Sequence, residues 1–150
     1  MGLADVLPML WTVVHIPPEV EQEVLRSPAA AWLAERMAAT GDVYRRCTDR
    51  DAMLEGFLGT RVHAGEAAVI AQTDWHQARK REVTPVIDDA GGYRAAQQAR
   101  MGPMRTGKVL VLLKEAGLIT SVAPFLDKLE GAGFFLSARH RRGILTLAGE

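Results

Sequence analysis

Val83-Thr-Pro-Val-Ile-Asp-Asp89 is a short, β-branched run that stops on two adjacent carboxylates and breaks at once into Ala90-Gly91-Gly92. Its length, its branching and the turn residues around it make Val83, Val86 and Ile87 a buried strand and not a helix. In open parallel sheets ligand chemistry gathers beyond the carboxyl ends of the strands, which makes Asp88 and Asp89 a candidate metal or phosphate site. The same pair is also placed to cap a helix starting near Tyr93, by accepting hydrogen bonds from its first backbone amides. A third or fourth carboxylate converging on this point separates the two readings.

Working upstream, His63-Ala-Gly-Glu66-Ala-Ala-Val-Ile-Ala71 opens an apolar helix on a glutamate, where negative charge is favoured by the helix dipole whatever the function. Thr73-Asp-Trp-His-Gln-Ala-Arg-Lys-Arg81 follows, polar and basic, and reads as exposed and less helical. A helix from Glu66 leading into strand 83–87 is an α-to-β connection. With Thr12-Val-Val-His-Ile16 as another buried strand, it predicts a parallel sheet covered by helices, on one edge of which Glu66, Asp88 and Asp89 face together. His15 reads as a packed side chain of its strand.

Pro17-Pro18 ends that strand and starts a helix to about Arg26, with Val20, Val24 and Leu25 as its core face. Glu19, Glu21 and Glu23 surround that face, and periodicity does not choose among them. Ser27-Pro28 predicts a further helix to Met37 with Ser27 as cap and Trp32, Leu33 and Met37 inward. Thr40-Gly41-Asp42 stops it. Val43-Tyr44 is a short edge strand followed by the basic Arg45-Arg46, and Thr48–Asp51 starts a helix carrying Met53, Leu54, Phe57 and Leu58. Before all of these, Leu3, Val6, Leu7 and Leu10 recur at helical spacing around Pro8.

Downstream, Tyr93–Met101 is a short helix stopped by Gly102-Pro103. After Gly107 comes a periodic helix with Val109, Leu110, Leu112, Leu113 and Ala116 on one side and Lys108, Lys114 and Glu115 on the other. Two amphipathic helices complete the chain, one around Val122, Phe125, Leu126 and Leu129, the other around Ile144, Leu145 and Leu147. Arg139-His-Arg-Arg142 gives the last a basic, solvated beginning.

At 150 residues, with 48% hydrophobic and 24% charged residues, the composition is that of one globular domain. The formal net charge of +0 rules out a global positive field, so any nucleic-acid contact rests on local basic patches. A solitary Cys47 excludes an internal disulfide and a multi-cysteine zinc site, and favours a cytosolic compartment. The sequence has no apolar run of bilayer length and no secretory leader.

Four stretches, in this order, closely resemble the uncharacterised prokaryotic PIN-like family related to VapC toxins: Gly65-Glu-Ala-Ala-Val-Ile-Ala71, Val86-Ile-Asp-Asp89, Val109-Leu-Val-Leu-Leu-Lys-Glu-Ala-Gly-Leu-Ile119 and Val122-Ala-Pro-Phe-Leu-Asp-Lys-Leu-Glu-Gly-Ala-Gly-Phe134. Gly2–Pro8 and Ile16–Val24 extend the likeness over nearly the whole chain, and the tail motif is its most specific part. The resemblance implies a three-layer α/β/α sandwich around a central parallel sheet, forming a single domain over residues 1–150. It also implies a magnesium- or manganese-dependent nuclease, commonly a toxin that cuts RNA and is held inactive by an antitoxin. The family's acids carry over to Glu23, to Glu66 and to Asp88 or Asp89, with a slight preference for Asp88. Hard divalent cations take such oxygen ligands, and magnesium keeps waters that can be activated against a phosphodiester.

The resemblance also has departures. Family members begin with a strand ending in Asp-Thr-Ser-Pro or similar, and this chain begins just after that point, so the first strand and its metal-binding aspartate are expected to be missing. Ala90–Arg94 is longer and less basic than usual, and Arg105-Thr-Gly107 replaces Gly-Thr-x-Gly. Two expectations of different class follow. One is an endoribonuclease toxin whose Glu23, Glu66, Asp88 and Asp89 hold the ion, with Arg45, Arg46, Arg79, Lys80, Arg94 or Arg105 on phosphate; the missing strand is what its activity turns on. The other is a non-catalytic module that binds an antitoxin or a second copy through its apolar first helices.

Overall fold

A computed structural model describes residues 3–28, 30–39 and 43–150. The Trp32 side chain and the Thr40-Gly41-Asp42 stop lie outside the described residues. In chain order the elements are α1 (Leu3–Leu10), β1 (Val14–Ile16), α2 (Pro18–Leu25), α3 (Ala30–Ala39), β2 (Tyr44–Arg46), α4 (Ala52–Leu58), α5 (Ala64–Gln77), α6 (Ala90–Gln98), α7 (Thr106–Glu115), α8 (Ala123–Gly131) and α9 (Ala138–Leu147). The expected mixed α/β class is what the chain adopts: mostly helices, with a small parallel sheet of β1 and β2 in the register Val14↔Tyr44, His15↔Arg45, Ile16↔Arg46. No helix among the described residues is long and apolar enough to cross a membrane.

Two compact units are present, Met1–Trp11 with Arg105–Glu150, and Thr12–Met104. In the first, α7 is apolar on more than one face, because Val111 is buried alongside Val109, Leu110 and Leu113, whereas Ala116 is exposed. Each of those side chains, fully buried, stabilises the fold by about 1.5–3 kcal/mol. The basic start of α9 is not merely solvated: Arg141 bonds Asp127 Oδ1 at 2.6 Å and Glu130 Oε2 at 2.8 Å. Glu150 accepts from Val122 N at 2.7 Å and Ala123 N at 3.1 Å, supplying the acceptor that the start of α8 lacks.

In the second unit, Ile16, Leu33 and Tyr44 form one apolar cluster, with Val20 and Val24 of α2 against it. Leu58, Ala67, Ile70, Ile87, Ala96 and Met101 form another, which joins α4, α5 and α6. Several local expectations change here. Leu25 is 48% exposed, since α2 needs only Val20 and Val24 to reach the core. Helix α3 is described from Ala30 on, position 29 lying outside the described residues, and Ser27 Oγ donates to Val24 O at 2.6 Å, closing α2.

The expected strand over 83–87 is an extended segment with a single parallel bridge, Val86↔Met104. Ile87 N donates to Met104 O and Met104 N to Pro85 O, both at 2.9 Å. The ladder goes no further because Pro85 has no N–H to give and the partner segment is shut in between Pro103 and the start of α7. Ile87 is buried as expected, but Val86 is 41% exposed. The polar stretch 73–81 also departs from its reading, since α5 continues to Gln77 with Gln72, Thr73 and His76 buried. Thr73 Oγ1 donates to Val69 O at 2.8 Å and Gln72 Nε2 to the Cys47 carbonyl, while half-buried Gln77 donates from Nε2 to Met101 O at 3.3 Å.

Candidate functional site

The structure sorts the three glutamates of α2 that periodicity left equivalent. Glu19 forms a two-pronged pair with Arg50, at 3.0 and 3.1 Å, and Arg50 also bonds Glu55. That guanidinium holds the Glu19 carboxyl below its usual range. Glu21 pairs with Arg46 at 2.9 Å. Glu23 turns elsewhere. A methyl group added to Gly65 would lie 3.0 Å from Glu23 Oε1 and 3.4 Å from Oε2, so the carboxylate rests against the bare backbone of α5's first turn.

Glu66, the next residue, is held by a second glycine. A methyl on Gly92 would lie 2.6 Å from Glu66 Cγ and 2.9 Å from Cβ, inside any real contact, so α6 approaches this closely only because Gly92 has no side chain. Glu66 Oε2 is buried and has no hydrogen-bond partner. Leaving a buried carboxylate oxygen unpaired costs more than burying a neutral polar atom, and a cation there would remove the cost.

Asp89 takes up the third position, in the role that the helix-cap reading gave it. Its Oδ2 accepts from Gly91 N at 2.7 Å and from Gly92 N at 3.0 Å, so α6 begins at Ala90 and the Gly91-Gly92 pair is its first turn, not a break. The Gly92 and Gly91 amides hold the Asp89 carboxyl below its ordinary range, and His63 adds a smaller pull in the same direction. Asp88, half-buried, sits between the buried Ile87 and the capping Asp89. The contacts run from Glu23 to Gly65, along the chain to Glu66, and from Glu66 Cγ and Cβ across to Gly92, whose amide Asp89 accepts from; each acid meets a glycine of a neighbouring turn. Glu66 lies in the first turn of α5 and Asp89 caps α6, positions where a helix's positive end favours negative charge.

Of the side chains expected on phosphate, Arg94 lies in the second turn of α6 and is exposed. Arg46 is occupied by Glu21, and Arg79 lies 3.6 Å above the Trp75 ring at the far end of α5. His63, which precedes Glu66 by three residues and acts on Asp89, was read only as part of a helix start. At the far end of α5, His15, Cys47 and His76 bring their ligand atoms within 4.8 Å of one another, a grouping that no spacing in the sequence announces.

A family model described as a PIN domain matches residues 1–150. No curated protein and no solved structure matches the chain.

Proposed function

The chain belongs to the PIN-domain family, and on that premise we propose that it is a divalent-metal-dependent endoribonuclease of the VapC-like toxin kind, with Glu23, Glu66, Asp88 and Asp89 as its acids and Mg2+ or Mn2+ as its ion. The observation that carries this reading is the buried, unpartnered Oε2 of Glu66, the residue next to the Gly65 on which Glu23 rests, a glutamate that the basic partners of its helix have left unclaimed. An all-oxygen donor set with one oxygen already stripped of hydrogen-bond partners suits a hard divalent cation. When bound, such an ion supplies water activation and charge compensation for phosphodiester hydrolysis.

The chain's own residues have separable tasks. Glu66 and Glu23 offer oxygens from two elements, and Gly65 and Gly92 let them approach. Asp89, pinned as a carboxylate by two amides, fixes where α6 starts and so where Asp88 and Gly92 stand. Arg94 supplies a guanidinium to the RNA backbone one turn beyond, a contact that orients without reading sequence.

RNA cleavage by the purified chain with Mg2+ or Mn2+, compared with Glu66→Gln, tests the proposal. Cleavage that needs the ion and falls at least about a hundred-fold in the variant is the expected result, a loss larger than second-layer changes to metal sites cause. Equal cutting by both proteins would mean that the activity is a contaminant or the site misplaced. Met53 at 88% and Phe57 at 57% exposure on α4 favour a second reading, an apolar surface for a cognate antitoxin or a second copy. If no RNA is cut while a partner is retained through α4, this non-catalytic module is the better description.

A further inference from the structure

The Thr12–Met104 unit contains a second group of metal-type donors, and its chemistry is the opposite of the acid cluster's. His15 lies on β1, Cys47 directly follows β2, and His76 is in the last turn of α5. The parallel register pairs His15 with Arg45, so Cys47, two residues on, returns to the same face of the ribbon as His15. Cys47 is fixed from both sides of its backbone: its N–H donates to Ile16 O at 3.0 Å, and Gln72 Nε2 donates to its carbonyl. Its Sγ lies 3.8 Å from His76 Nε2, and the His15 and His76 rings stack with centroids 4.6 Å apart. Cys47 and His76 are buried while His15 is exposed, which leaves an entry path on one side.

We propose that His15, Cys47 and His76 form a zinc site that clips β1 and β2 to the end of α5, independent of the acid cluster and of any nuclease activity. Two imidazoles and one thiolate, with a fourth position open to solvent through His15, are a donor set suited to Zn2+, and the thiolate discriminates against Mg2+ and Mn2+. The ligand atoms already lie within 4.8 Å of one another, so side-chain rotations of about 1 Å bring them to the separations of a tetrahedral ion with bonds of about 2.0–2.3 Å. Asp49 acts on both imidazoles and supplies negative charge nearby.

Arg81 makes the proposal specific. Its Nη1 lies 3.3 Å from His76 Nδ1, and since arginine only donates, Nδ1 accepts and the N–H of His76 is at Nε2, facing sulfur. On zinc binding the Cys47 thiol proton leaves to solvent, His76 Nε2 takes the ion, and the imidazole proton moves to Nδ1, where it displaces the Arg81 contact. Arg81 is exposed and already lies 5.4 Å over Trp75, so it can withdraw along that ring.

Titration of the whole protein with Co2+ and Zn2+ in excess Mg2+ tests this. One ion per chain, a thiolate-to-cobalt charge-transfer band absent in Cys47→Ser, and displacement by Zn2+ but not by Mg2+ are expected. His15→Gln, at an exposed position, should weaken binding at least about ten-fold with an unchanged circular dichroism spectrum, which keeps the test decisive if Cys47→Ser fails to fold. Arg81→Ala should tighten binding by about ten-fold, the scale of outer-layer effects at metal sites. Glu66→Gln should leave the cobalt spectrum intact, so loss of nuclease activity and loss of this site are read separately. Absence of the band, binding unaffected by His15→Gln, or loss of the band in Glu66→Gln would each overturn the proposal.

Discussion

The two ends of α5 gather metal-type side chains by different means. At the N-terminal end the side chains are the carboxylates proposed to hold an ion, and what gives them room is missing atoms: Gly65 makes room for Glu23, and Gly92 for Glu66. At the C-terminal end, about 15 Å away over the ten residues from Glu66 to His76, the donors are imidazoles and a thiol, and what brings them together is strand register and ring stacking. The helix dipole favours this division, with anions at its start and Arg79 and Arg81 beyond its finish. If both proposals hold, a single helix separates hard oxygen chemistry from softer nitrogen and sulfur chemistry. Only the first end depends on the absence of Cβ atoms.

That dependence predicts the largest effect. Gly92→Ala puts a methyl 2.6 Å from Glu66 Cγ and 3.0 Å from Ile87 Cγ2, so either Glu66 or α6 must shift. Cleavage should fall nearly as far as in Glu66→Gln, with overpacking lowering stability by about 1–3 kcal/mol. Gly65→Ala meets only the end of a flexible side chain, at 3.0 Å, and should cost activity several-fold while stability barely changes. Kinetics and denaturant unfolding of both variants check the order, and a Gly65→Ala loss exceeding that of Gly92→Ala would break the account. Neither change should alter the cobalt spectrum of the far end.

A smaller effect tests the sorting of the glutamates. Glu19→Gln weakens the two-pronged pair with Arg50 and should lower stability by no more than about 1 kcal/mol, because the pair is partly solvated. Cleavage should be unchanged. Glu23→Gln should do the reverse, sparing the unfolding midpoint and lowering the rate.

The sequence carried the acid end better than the imidazole end for the same physical reason. Glu66 after a glycine, and Asp88-Asp89 before two, mark helix starts whose chemistry is local in sequence, so both the cap and the metal reading were visible. Which glutamate of α2 is left without a basic partner does not follow from periodicity, because it depends on Arg50 and Arg46 taking the other two across tens of residues; only the family resemblance points to Glu23. The strand expected over 83–87 shrinks to one bridge because β-branching reports an extended chain but not whether a partner offers more than one residue; here the partner is Met104 alone. His15, Cys47 and His76 come from three elements and meet through a parallel register, for which single-chain periodicity has no term. Helix α5 was cut short for a related reason. Buried Thr73 and half-buried Gln77 look like surface residues until the carbonyls of Val69 and Met101 are known to receive them.

The smallest effect separates the two ends by pH. Burial first, then Arg45 and Arg81 around His15, and His15 and Arg81 around His76, hold both imidazoles below the ordinary 6.5, against a weaker opposing pull from Asp49; Arg79 adds to the lowering at His76. A base whose folded pKa is depressed is protonated first in the unfolded chain. Its contribution to stability is therefore present above 6.5 and is lost as pH falls through the lower folded values. Asp89 obeys the same sign in a different window, stabilising above 3.8 and losing that contribution as pH falls through its depressed value, while Glu150, drawn to about 2 chiefly by Lys114 and the Val122 amide, adds an acid-range loss in the other unit. Amide hydrogen exchange followed from neutral to acid pH should show the last turn of α5 loosening first and the first turn of α6 only in strong acid. His76→Gln should flatten the earlier loss, and Asp89→Ser, which keeps a cap without a titrating group, should flatten the later one at α6. Simultaneous loosening of both places would mean that α5 transmits protonation along its length and that its ends are not independent.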